Sequence, residues 1–341
     1  MPEIESHIVC PASADNPRNS EASVALLDDG RLLLAYTHFY GGAADHAAAF
    51  IAGKTSSDGG RTWSQHFEIV ANDADQNVMS ASLLRLRSGA LALFFLRKNS
   101  DSDLHAYVRK SHDEGGSWGD EARATTIPGY HCVNNDRVIQ LASGRVLVPS
   151  SHSPDWRRDG HFRNICFHSD DEGATWRAGA TYLDLPRRGA MEPGLVELED
   201  GRILQIIRTQ LGRIYRSFSD DAAVTWTDPE PTDIVSPEAP ATITRLPSTG
   251  DLLLIWNDNH EAGTPLEGRR CPLTSAISRD EADTWTAQRN LETDDRFDYA
   301  YVSAAFPDDE TALLTYWVND RSAQRISLKV ARVPIAWFYG K

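Results

Sequence analysis

The chain has 341 residues, 41% hydrophobic and 24% charged, with a formal net charge of −15. That composition fits a globular chain with a large core, and the acid excess speaks against a nucleic-acid partner, which needs clustered Lys and Arg. There is no run of about 18 apolar residues to span a membrane and no basic start followed by an apolar stretch as in a secretory signal, so the expected location is cytoplasmic, with neither membrane nor nucleic acid as partner.

In chain order, a strand-like segment near His7–Cys10 comes first, and then two motifs alternate. One is a hairpin with Gly at its turn followed by an apolar run: DDGRLLLAY (28–36), RSGALALFF (87–95), ASGRVLVP (142–149), EDGRILQII (199–207) and STGDLLLIW (248–256). The other is Ser-x-Asp-x-Gly-x-Thr-Trp, found at Ser56–Trp63, Ser111–Trp118 (Ser for Thr) and Ser169–Trp176, and with Ala for Gly at Ser219–Trp226 and Ser278–Trp285. A sixth hairpin, DDETALLTY (308–316), has no box, and a last strand is expected over Arg325–Arg332. Repeats at this period signal a repeat architecture. In each box the Asp carboxylate can cap turn amides, Gly eases the reversal and Trp buries a large area between sheets. The box Asp residues are therefore structural. Unbroken apolar runs suit inner strands buried on both faces. Six hairpins with five boxes predict an all-β, six-bladed β-propeller of four-stranded antiparallel blades, residues 1–341 forming one domain. The outer strands of the last blade come from the tail and the N-terminal segment.

Aligning the hairpins on the turn Gly places Glu21, Ser80, Asn135, Glu192, Ala241 and Tyr301 nine residues before it. Thr37, Leu96, Ser151, Arg208, Asn257 and Trp317 stand seven after. These positions share one end of the central channel, where a propeller builds a ligand site. Four scattered cysteines (Cys10, Cys132, Cys166, Cys271) read as reduced, mostly buried thiols, and no His/Cys/Asp cluster has ligand spacing, so no metal or other cofactor is expected.

At these residues the chain resembles the sialidase (neuraminidase) superfamily of Asp-box (BNR) repeat propellers, over nearly its whole length. Met191-Glu192-Pro193 through Arg208 looks like the segment that holds the partner of the nucleophile and an Arg for the substrate carboxylate. Arg270-Cys-Pro-Leu273-Thr274 matches the Arg-x-x-Leu-Thr segment that supplies another such Arg, and Tyr299-Ala-Tyr301-Val-Ser303 resembles the segment of the tyrosine nucleophile, with register favouring Tyr301 over Tyr299. The resemblance implies a retaining exo-glycoside hydrolase acting on the terminal acidic sugar of a glycan, sialic acid by default. A neutral Tyr with an adjacent base avoids repulsion from a substrate carboxylate, and Arg pairs bind that carboxylate bidentately. The acid is expected on a mobile loop, at Asp45 within Gly41-Gly-Ala-Ala-Asp45-His46. The family's third Arg, in an Arg-Ile-Pro segment, is missing; here Arg18-Asn-Ser-Glu21-Ala stands in its place. Either Arg18 swings in as a displaced third Arg, or the triad is broken and Glu21 repels a carboxylate. Asn135 could bind sugar hydroxyls, and Arg137 could restore the lost positive charge. Two further readings remain: a hydrolase or uronate lyase for another acidic polysaccharide, and a non-catalytic carbohydrate-binding propeller.

Overall fold

The structure is a computed structural model that describes residues 3–260 and 268–341. Strands β1 (Glu5–Cys10), β2 (Arg18–Leu26), β3 (Leu32–Phe39), β4 (Ala49–Ser56) and β5 (Phe67–Val70) open the chain. Next come β6 (Asn77–Arg85), β7 (Leu91–Ser100), β8 (Asp103–Ser111) and β9 (Ala122–Arg123), then β10 (Tyr130–Cys132), β11 (Ile139–Gln140), β12 (Val146–Ser153), β13 (Arg163–Ser169) and β14 (Arg177–Ala178). β15 (Met191–Glu197), β16 (Ile203–Arg208), β17 (Arg213–Ser219) and β18 (Glu230–Val235) precede β19 (Thr242–Arg245), β20 (Leu252–Asn257), β21 (Leu273–Ser278) and β22 (Thr286–Glu292). β23 (Phe297–Ala305), β24 (Thr311–Asp320) and β25 (Arg325–Pro334) close it, with single-turn helices α1 (Trp156–Asp159) and α2 (Ile335–Phe338).

The fold is all-β and propeller-like, built of four-stranded antiparallel meanders. β15–β18 and β19–β22 are separate four-stranded sheets. Elsewhere single parallel pairings join neighbouring meanders: Arg18 with Ile326 links β2 to β25, and Tyr130 with Leu104 links β10 to β8. β1 adds to β25 antiparallel, so both ends of the chain share one sheet. The inner strands are buried on both faces, as their apolar runs require; Leu91 and Leu93 are fully inaccessible. The core lies between neighbouring meanders, where Trp176 of one box meets Phe94 edge to face at 5.9 Å.

The boxes close on themselves. In the first, Ser56 Oγ donates to Asp58 Oδ1 at 2.8 Å and accepts from Gly60 N at 2.9 Å; Asp58 accepts from Thr62 N at 2.9 Å and Thr62 Oγ1 at 2.6 Å. The remaining boxes repeat this Ser–Asp–Thr (or Ser) pattern. The hydrogen bonds hold these carboxyls low, Asp113 and Asp171 at about 2, chiefly through the Ser117 and Thr175 hydroxyls.

Candidate active-site cleft

A repeated backbone device aims the site. β2, β6, β15 and β23 each shift register against their neighbours, between Ser20 and Ser23, Met79 and Ser82, Met191 and Gly194, and Ala300 and Ser303. Inside each bulge one residue takes a left-handed conformation: Glu21 (φ 47°), Ser80 (59°), Glu192 (39°) and Tyr301 (57°). These are the residues nine before the turn. Bulges re-aim side chains, and left-handed Glu or Tyr stores strain of about 1–3 kcal/mol each, as functional sites do.

Glu192 and Tyr301 line a cleft of about 560 Å³ together with Asp45, Arg18, Arg208 and Arg270. Six cationic side chains line it (these three arginines, Lys98, Arg157 and Arg188) against three carboxylates (Asp45, Asp101 and Glu192), in a protein of net charge −15. That concentration of positive charge suits an anionic ligand.

Arg18 swings in. Its side chain is 5% exposed and bridges Glu21 Oε1 and Asp45 Oδ1, both at 2.5 Å. Glu21 stands behind Arg18 as its counter-ion and does not line the cleft. Arg208 pairs with Glu192 and reaches Glu238 Oε1 at 3.3 Å. The Arg270 guanidinium faces the rings of Tyr301 and Trp317 at 5.6 and 5.4 Å. Its Nη1 is buried and has no hydrogen-bond partner among the described residues.

These charges set the titration of the trio. Burial and the Glu192 charge push the Tyr301 phenol up to about 12, against the pull of Arg270 and Arg208, so it is neutral at rest. Burial alone would raise Glu192, but Arg208 and Arg270 outweigh it and hold the carboxyl below its usual range. Asp45 follows the same balance, with desolvation overcome by Arg18, Lys98 and Arg270.

Three expected ligand contacts are placed elsewhere. Tyr299 is 2% exposed, its hydroxyl donating to Asp294 O at 3.2 Å within an apolar cluster. It lies just before the β23 bulge, which removes it from the face that Tyr301 takes. Asn135 is fully buried; its amide donates to Ala22 O at 2.7 Å and Tyr301 O at 3.1 Å, bracing the backbone of Tyr301. The left-handed residue of that segment is Asp136 (φ 56°), one position on, because the strand is broken between β10 and β11. Arg137 donates to Ala241 O at 2.8 Å and lines a separate cavity of about 420 Å³ with Asp136, so it adds no charge to the cleft wall.

The sequence did not single out an apolar wall of Tyr130, Trp156, Phe162 and Met191, or Lys98 beside it. Trp156 belongs to α1, in the loop between β12 and β13, and is pinned by Trp156 Nε1 donating to Asp101 Oδ1 at 3.0 Å. Trp317 and Ser151 do line the cleft, and their signal was the count of seven after the turn.

Residues 30–311 match the model of the BNR repeat-like domain family. The chain belongs to that family. Among curated relatives, this BNR repeat-like protein is 24% identical to a sialidase of Clostridium perfringens over 61% of the chain and 60% of the relative, and 26% identical to one of Micromonospora viridifaciens over 78% and 45%. It thus spans about half the length of the curated relatives it matches. A Dyadobacter fermentans protein described as of unknown function superposes with TM-score 0.79 and 18% identity, covering 98% of this chain and all of that one. Trypanosoma rangeli sialidase gives TM-score 0.77 and 16% identity over 99% and 60%. At such identities the superpositions show a shared sialidase-like fold.

Proposed function

We propose that this BNR repeat-like protein is a retaining exo-glycosidase that releases a terminal acidic sugar, sialic acid by default, from a glycan, and that its meanders form a single six-bladed domain around the cleft. The observation that carries the reading is three guanidinium groups converging on a neutral tyrosine flanked by a carboxylate, two of them (Arg208 at Nε and Arg270 at Nη1) with a buried nitrogen that has no hydrogen-bond partner among the described residues. Carboxylate recognition needs such donors, and the named sialidases matched by this chain fit the same assignment.

Tyr301 Oη would attack the anomeric carbon while its proton passes to Glu192, and Asp45 would protonate the departing glycosidic oxygen. Water then attacks that carbon, Asp45 takes its proton, the Tyr301–carbon bond breaks, and Glu192 returns the proton to the phenolate. Arg18 and Arg208 are paired with Asp45 and Glu192. A substrate carboxylate competes for both guanidiniums, and each carboxyl it frees rises in pKa. Asp45 then becomes able to carry a proton, and Glu192 becomes a stronger base. Binding the acidic sugar in this way prepares the acid and the base together.

The test is turnover of a fluorogenic α-sialoside by the parent and by Tyr301→Phe. Hydrolysis lost by about a hundredfold or more in Tyr301→Phe supports the assignment. A folded parent with no turnover removes sialic acid as substrate and turns the search to other acidic glycans, scored also for the ultraviolet absorbance of unsaturated lyase products.

A further inference from the structure

Gly41, Gly42, Ala43 and Ala44 precede Asp45, whose side chain is 71% exposed. Such a segment should wander, yet its backbone is held from the neighbouring meander. Asn77 Nδ2 donates to both Asp45 O and Ala47 O at 2.9 Å, and Lys98 Nζ donates to Asp45 O at 3.3 Å. Asn77 and Lys98 stand directly opposite each other on β6 and β7 and are 0% and 1% exposed. The Lys98 ammonium also sits 5.2 Å from the Tyr130 ring centroid and has no ion-pair partner among the described residues.

An ammonium buried without a carboxylate contact is costly, and an apolar pair would fill the same space more cheaply. Among the described residues, the hydrogen bonds that Asn77 and Lys98 make from their side chains all end on this loop. We propose that Asn77 and Lys98 are positioning residues that clamp the main chain of Asp45, so that a loop of glycine and alanine presents its carboxyl in one place. This rests on the reading of Asp45 as the acid. Lys98 also lines the cleft, so the experiment must separate clamping from direct contact with the sugar.

The leaving group separates them. A nitrophenolate departs with little protonation, whereas an alkoxide needs the acid. Lys98→Met should therefore lower kcat/KM about tenfold more on an alkyl glycoside than on the nitrophenyl glycoside of the same sugar, following the direction of Asp45→Ala. Lys98→Gln, which keeps a donor without the charge, should recover part of the loss and serves if the methionine variant does not fold. In parallel, hydrogen exchange of the Gly41 and Ala47 amides, which bond to Ala48 O and Ala44 O, should quicken at least about tenfold in Lys98→Met and Asn77→Ala. An equal fall on both glycosides would make Lys98 a sugar contact and overturn the proposal, as would unchanged exchange in both variants. A parent that cleaves neither glycoside sinks the acid assignment, while the exchange rates still decide whether the pair clamps the loop.

Discussion

The box turns and the cleft are built with one backbone device and opposite chemistry. Each box holds two successive left-handed residues, such as Gly59 and Gly60 or Glu281 and Ala282, and the cleft has one per bulge, as at Glu192 and Tyr301. In the boxes the side chains repeat, and the Ser–Asp–Thr hydrogen bonds end within four residues of where they start. At the cleft each meander offers a different side chain, and the bonds reach far along the chain, Asn135 to Tyr301 or Asp45 to Asn77. Local closure makes a box tolerant of its surroundings. The cleft residues depend on one another, so substitutions there should alter function out of proportion to stability.

After Tyr301, the largest expected effect lies at Arg18, which the proposed function assigns as a third arginine for the substrate carboxylate. Removing it alone would strand buried Glu21, so the informative variant is Arg18→Met with Glu21→Gln, compared with Glu21→Gln alone. Charge-assisted hydrogen bonds of about 1.5–3 kcal/mol would be lost to the substrate carboxylate, giving roughly a 10- to 100-fold fall in kcat/KM, with the melting temperature of the pair little changed. If kcat/KM holds, two arginines suffice and Arg18 serves only Asp45.

A middle-sized effect, on stability alone, is expected in the boxes. Ser169 is 1% exposed; its hydroxyl donates to Asp171 Oδ1 and accepts from Gly173 N, both at 2.7 Å. Ser169→Ala leaves that buried amide unpaired and should cost about 1–3 kcal/mol, measured by denaturant unfolding, with turnover per folded molecule intact. A loss of turnover in step with stability would erase the contrast between box and cleft.

The same contrast explains what was legible in the sequence. The boxes are local and repeated, so their spacing alone showed the meanders and their turns. Glu192, Arg208 and Tyr301 were legible because their offset from the turn Gly survives the bulge unchanged. Asn135 was misplaced by one because its inner strand is interrupted, and Tyr299 because alternation puts it on the face of Tyr301 unless a bulge intervenes between them. The bulge is a backbone fact that no residue type announces. Lys98 was hidden behind the run Leu91–Leu96, which reads as an ordinary buried strand. The wall at Trp156 was invisible for another reason: it stands in a loop between two strands, and alignment on the turn Gly compares only the turns and the strands beside them.

The smallest expected effect concerns the two boxes that carry Ala where the others carry Gly. Ala223 and Ala282 sit at φ 67° and 70°, with side chains 0% and 5% exposed in apolar clusters. Ala282→Gly would relieve about 1–2 kcal/mol of left-handed strain, lose about 0.8 kcal/mol of buried methyl, and lose a further 0.5–1 kcal/mol or so to the freer unfolded chain. The terms nearly cancel, so the change should fall within about 0.5 kcal/mol of zero. The reverse substitution at Gly60 should not cancel, because a Cβ there would stand 2.9 Å from Leu313 Cδ1, and Gly60→Ala should cost about 1–3 kcal/mol through overpacking. Chemical denaturation of both variants measures the difference. A Gly60→Ala cost no larger than the change at Ala282 would mean that the space between meanders adapts freely, and the box Gly would then reflect backbone conformation alone.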